Sequence, residues 1–114
     1  MNAARAKLPR LARLSGAAHF TGQFSARRQG VYFTILFRNR RENGLARLGI
    51  VVGRHAVPDS VDRSLMKRTI REVFRNRRGE IGSVDVVIRV RRQADRRNIA
   101  EARHELEKLL MQSR

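Results

Sequence analysis

The chain contains no cysteine. That excludes a disulfide framework and a thiolate zinc site. No apolar run approaches the roughly 18 residues that a bilayer span needs, and no signal-peptide apolar core is visible. Acids are scarce. Ten Asp plus Glu stand against 26 Lys plus Arg, a formal net charge of +16 over 114 residues, and the first acid in the chain is Glu42. Catalytic patterns are missing as well. His19, His55 and His104 are widely spaced and have no neighbouring Cys or metal-type His partner. No nucleophile elbow, Walker loop or Rossmann glycine pattern occurs. The acids fall mostly at helix-cap positions or beside Arg, where capping and ion pairing account for them.

What remains describes a binding module: one domain, large enough for a single modest core, with a field that favours nucleic acid or an anionic surface as partner. Its cations are overwhelmingly Arg, whose planar fork suits phosphate and the edges of guanine. The composition points to a soluble, cytoplasmic protein. No catalytic side chain and no metal site are expected on it.

The stretch RSLMKRTIREVFRNRR, from Arg63 to Arg78, carries the strongest pattern. At about 100° per residue it sorts into two faces. Leu65, Met66, Thr69, Ile70, Val73 and Phe74 form an apolar arc. Lys67, Arg68, Arg71, Arg75 and Arg78 crowd the opposite side, with Glu72 at their edge. Like charges four apart, such as Lys67/Arg71 and Arg71/Arg75, each cost about 0.2–0.5 kcal/mol. A row of them makes sense when a polyanion lies across it.

The rest of the chain reads as elements around this helix. Residues 1–15 form a basic arm, expected to be disordered, with an arm that orders on RNA or a transit peptide as alternatives; residues 16–114 form the single folded domain. From Gly16 to Arg28 a short helix is expected, with Ala17, Phe20 and Phe24 at i, i+3, i+7 spacing. Its two phenylalanines either pack on a sheet or lie open and stack on unpaired bases. VYFTILFRN is the clearest strand, with Val31, Phe33, Ile35 and Phe37 on its apolar side. Asn43-Gly44 suits a tight hairpin turn into the return strand RLGIVVGR, with Leu48, Ile50 and Val52 toward the core. RHAVPDSVD closes on residues able to cap the central helix, and Gly79 is expected to end it. SVDVVIRVRR follows, a nearly continuous apolar run that asks for neighbouring strands on both sides. Asn98 with Glu101 resembles a helix cap, and Ile99, Ala102, Leu106, Leu109 and Leu110 stripe the last helix. The expected class is α+β: a two-layer α/β sandwich, order α-β-β(-β)-α-β-α, on a small mixed sheet.

The run Arg63, Lys67-Arg68, Arg71-Glu72 and Arg75 resembles the signature of the bacterial ribonuclease P protein family, written R-N-R-x-K-R-x-x-R-E-x-x-R. Phe20 and Phe24 are similar to the family's first-helix aromatics. RLGIVVGRHAV looks like the strand that enters the signature loop, and DVVIRVRR like the last strand. Two positions depart: Ser64 replaces the usual Asn and Leu65 the second Arg. The resemblance implies the fold shared by these proteins and the second domain of a small-subunit ribosomal protein, with a left-handed β-α-β crossover where right-handed is the default.

It also implies a protein cofactor for a catalytic RNA that removes the 5′ leader from precursor tRNA, with hydrolysis carried by the RNA and its Mg²⁺. By the same resemblance Arg63, Lys67, Arg68, Arg71 and Arg75 would contact the catalytic RNA, unless Arg71 and Glu72 chiefly pair with neighbours. Phe20, Phe24 and Arg54 would meet the single-stranded leader. No membrane and no small-molecule substrate enter this reading. The competing classes are a ribosomal or RNA-chaperone protein, a DNA-binding protein without helix-turn-helix spacing, and a membrane-surface protein.

Overall fold

A computed structural model describes residues 24–40 and 44–112 of the chain. Four strands and two helices follow in the order β1 (Ala26–Gln29), β2 (Phe33–Asn39), β3 (Arg47–Val51), α1 (Ser60–Ile81), β4 (Val84–Val90) and α2 (Ile99–Met111). The sheet order is β1-β2-β4-β3. β1 and β4 both pair antiparallel with β2, and β3 runs parallel to β4. The mixed sheet and its two layers agree with the expected class. The expected first helix and basic arm lie outside the described residues, apart from the end of that helix.

β4 holds the centre because VDVVIRV is apolar throughout one face, is buried at every position but Arg89, and gains most from neighbours on both edges. One face of the sheet carries Phe33, Ile35 and Phe37 of β2, Val86 and Ile88 of β4, and Leu48 of β3, all in the apolar core. Both helices cover it. α1 contributes Met66, Ile70, Val73 and Phe74, the arc that the helical spacing singles out. α2 contributes Ala102, Leu106, Leu109 and Leu110. Burying one of the larger side chains is worth about 1.5–3 kcal/mol, so these stripes hold the helices in place. Thr69 sits in the buried arc because its hydroxyl donates to the Leu65 carbonyl at 2.8 Å.

The connection between β1 and β2 is clamped onto α2. The Glu105 carboxylate accepts from the backbone N–H groups of Val31 (2.7 Å), Tyr32 (2.8 Å) and Phe33 (3.1 Å). Gly30 makes room for it: a Cβ there would stand 2.5 Å from the Glu105 carboxyl carbon. The Tyr32 hydroxyl donates to Glu101, which pushes the phenol above its ordinary value. Arg28 of β1 adds a bond from Nη1 to the Leu109 carbonyl at 2.7 Å.

Five local expectations are corrected. Residues 26–29 are strand rather than helix: the apolar i, i+3, i+7 positions end at Phe24, and ARRQ instead pairs with the edge of β2, whose backbone groups need partners. Asn43-Gly44 does not join paired strands, because β4 stands between β2 and β3. Residues 40–46 separate those strands, too long a connection for a two-residue hairpin turn. Gly79 lies inside α1, which runs on to bury Ile81 and ends at Gly82 with φ 98°. Val31 is 54% exposed and precedes β2. Asn98 does occupy the N-cap of α2, but its side chain accepts from Asp95 N at 2.7 Å instead of capping the helix.

Candidate nucleic-acid interface

α1 begins at Asp59, whose carboxylate accepts from Val61 N at 2.8 Å, and its apolar arc fixes which side meets the solvent. On that side stand Lys67, Arg68 and Arg71. Arg68 and Arg71 are exposed and Lys67 is half-buried. Among the described residues none of the three donates a side-chain hydrogen bond or joins an ion pair, while the neighbouring acid is engaged. Glu72 meets Arg103 of α2 at 3.2 Å. The pairing expected as an alternative for Arg71 and Glu72 therefore holds for Glu72 and not for Arg71.

The cations at the ends of the row are tied into the fold. Arg63 donates from Nη1 to the carbonyls of Val57 and Pro58, both at 2.8 Å, and so closes the loop before α1. Arg78 donates from Nε to the Ala46 carbonyl at 2.8 Å, and its pKa lies below the ordinary value, first through burial and then through the nearby Arg40. Arg75 is half-buried. Ser64 is exposed and Leu65 half-buried, both beside Arg68.

The residues expected to meet a single strand are spread more widely. Arg54 is exposed in the turn after β3, which a bond from Val57 N to Gly53 O closes. Phe24 lies just before β1, in neither helix nor strand and outside the described core, with the Arg38 guanidinium 5.4 Å from its ring centroid. Phe20 lies outside the described residues.

Sequence reasoning missed the group beneath Arg38. Asp85 of β4, 3% exposed, takes a hydrogen bond from Arg38 Nη2 on one neighbouring strand (3.0 Å) and from Arg47 Nε on the other (2.7 Å). Burial pushes this carboxyl up, but the bonds and charges of Arg47 and Arg38 outweigh it and hold the pKa below its ordinary value. The available signal is an acid set between Val84 and Val86 in a strand that takes neighbours on both edges, where it needs a cation from an adjacent strand. Among the described residues no three His, Asp or Glu side chains gather to hold a metal ion. None of the described helices is long and apolar enough to cross a membrane.

A two-layer α+β domain that turns a row of cations outward defines a small basic partner module. The chain belongs to the ribonuclease P protein family, whose model matches residues 8–114. The ribonuclease P protein component of Paraburkholderia xenovorans is 35% identical over 101 residues, covering 87% of this chain and 71% of that one. That of Ralstonia pickettii is 34% identical over 93 residues, or 80% and 66% of the two chains. The RNase P protein from Thermotoga maritima, solved with 1-(4-fluorophenyl)-2-thiourea, superposes with a TM-score of 0.62 at 30% identity, over 78% of this chain and 86% of that one. The Staphylococcus aureus RNase P protein shares the fold, with a TM-score of 0.65 at 22% identity over 85% and 86%. Membership makes the chain a protein component of the ribonucleoprotein endoribonuclease that processes tRNA, as the signature on α1 implied.

Proposed function

We propose that the outer face of α1 binds the catalytic RNA of ribonuclease P and that the region around Phe24 and Arg54 receives the single-stranded 5′ leader of precursor tRNA. The observation that carries this reading is the row Lys67, Arg68 and Arg71, turned to solvent without ion pairs among the described residues while Glu72 is drawn away to Arg103. Repulsion along the row is relieved when phosphates lie across it. Arg75 extends the row, and Arg63 contributes chiefly by shaping the loop before the helix. Phe24 offers an aromatic face outside the core, with Arg38 against it; Phe20 would join it in stacking on leader bases. The protein supplies binding and the RNA supplies the chemistry, in the cytoplasm. The Mg²⁺ ions that the reaction requires would be held mainly by the RNA.

Reconstitution tests the reading. Added to a ribonuclease P RNA at low Mg²⁺, the protein should stimulate release of the leader from precursor tRNA. Lack of stimulation with correctly folded RNA would overturn the assignment in favour of a ribosomal or RNA-chaperone role. Replacing Arg71 and Arg75 by Ala should flatten the dependence of log affinity on log salt by about 0.7–0.9 for each phosphate that is no longer neutralised. An unchanged slope would remove α1 from the interface. Phe24→Leu should weaken leader-bearing substrate more than mature tRNA; equal weakening of both would return Phe24 to a packing role.

A further inference from the structure

Between the first turns of α1 and the loop joining β4 to α2 lies a groove of about 470 Å³, lined by Ser60, Val61, Ser64, Leu65, Arg68 and Arg96. Arg96 is separated in sequence from every residue of the signature, yet it shares this groove with Arg68. It is exposed and, among the described residues, makes no ion pair or side-chain hydrogen bond. Two acids lie on its other side, where Asp62, Asp95, Arg96 and Arg97 line an adjoining hollow. Both are committed elsewhere. Asp62 is buried and accepts from Gln93 Nε2. Asp95 accepts from Arg97 N at 2.9 Å and stands 3.9 Å from Arg97 Nε.

The loop that carries Arg96 is fastened to the helix it faces. Gln93 bonds Asp62 in the first turn of α1, the buried Ala94 directs its N–H to Met66 Sδ at 3.4 Å, and Asp95 N donates to Asn98 Oδ1 at 2.7 Å. Such anchoring lowers the entropy lost when a long cationic side chain is ordered by a ligand. Leu65 brings no charge to the same groove, and Ser60 and Ser64 bring hydroxyls.

We infer that Arg96 and Arg68 together form a phosphate-binding clamp for the RNA backbone, extending the α1 interface across the β4–α2 loop. This rests on the reading of α1 as the RNA-binding face. A backbone phosphate lying in the groove receives a guanidinium fork from each side, in the geometry Arg favours, and Ser64 can donate to the same group. Arg96 contacts phosphate only, so it raises affinity without reading sequence.

The test is a salt series of binding to the ribonuclease P RNA with Arg96→Ala, Arg96→Lys, Arg71→Ala and the pair Arg96→Ala with Leu65→Arg. Arg96→Ala should flatten the log–log slope by about 0.7–0.9, the share of one phosphate. Arg96→Lys should keep the parent slope. Leu65→Arg should restore it in the Arg96→Ala background, because residue 65 reaches the same groove. A slope that Arg96→Ala leaves unchanged while Arg71→Ala flattens it would overturn the clamp and leave the α1 interface standing. If neither substitution changes the slope, both fall together. Arg96→Ala removes no bond of the described fold, so its far-ultraviolet spectrum and melting temperature should match those of the parent.

Discussion

In a chain this basic, an individual acid matters for what it holds in place. Asp85 sits in β4 and draws an arginine from each flanking strand, so a single carboxylate ties Arg38 of β2 to Arg47 of β3 across the sheet. Its folded pKa is below the ordinary value of 3.8. The ionised group therefore stabilises the fold in full above about pH 4, and that contribution disappears as pH falls through the folded value. Asp85→Asn should lower the free energy of urea unfolding at pH 7 by about 2 kcal/mol, less than the ~3–5 kcal/mol of a fully buried broken pair because the guanidinium groups keep some exposure to water. The gap between variant and parent should narrow as pH falls below about 4. A gap that stays constant with pH would assign the effect to packing instead.

At the scale of elements, periodicity decides what can be read in advance. α1, β4 and α2 are legible because their apolar positions recur at one spacing over several turns or residues. Pairings between distant strands are not. Asn43-Gly44 is a strong local turn signal, yet the neighbour that β2 takes is β4, after the whole of α1, and no local pattern in residues 33–52 encodes that choice. β1 escapes because ARRQ has no apolar alternation of its own and is strand only through its partner. The cationic row of α1 is visible in the spacing. Its division into tied ends, Arg63 and Arg78, and an open middle is not, since carbonyl partners in loops leave no sequence signal. The helix terminus shows the same limit: Gly79 has the look of a stop, but burial of Ile81 carries α1 past it. Gly79 is exposed, has no neighbouring atom where a Cβ would fall, and does not have positive φ. Gly79→Ala should therefore stabilise the protein by about 0.5–1 kcal/mol, seen as a melting temperature a few degrees higher. A lower melting temperature would mean that the glycine relieves strain in the last turns of α1.

Over the whole molecule, charge and core are kept apart. Among the described residues no Lys or Arg is fully buried, while the interior is almost wholly apolar apart from Thr34, Asp62, Thr69 and Asp85. The core is also shared between parts distant in sequence: β4 and α2 supply Val84, Val86, Ile88, Val90, Leu106 and Leu110 to it. A chain ending at Gly82 keeps α1 and the β1–β2 pair but lacks these residues. It should show no cooperative thermal transition by circular dichroism, where the full chain shows one. A sharp transition in the shortened chain would show that α1 can close a core without β4.

The central position of β4 has a consequence for synthesis. Among the described strands β3 pairs with β4 alone, and β4 follows it by the full length of α1. As the chain leaves the ribosome, β3 emerges well before its described partner, and the apolar arc of α1 before the β4 side chains that share its core. The β2–β4 and β4–β3 pairings then form late, between segments far apart in sequence, which is the slow kind of folding. The dense positive charge on the waiting helix keeps such chains from associating with one another during that interval.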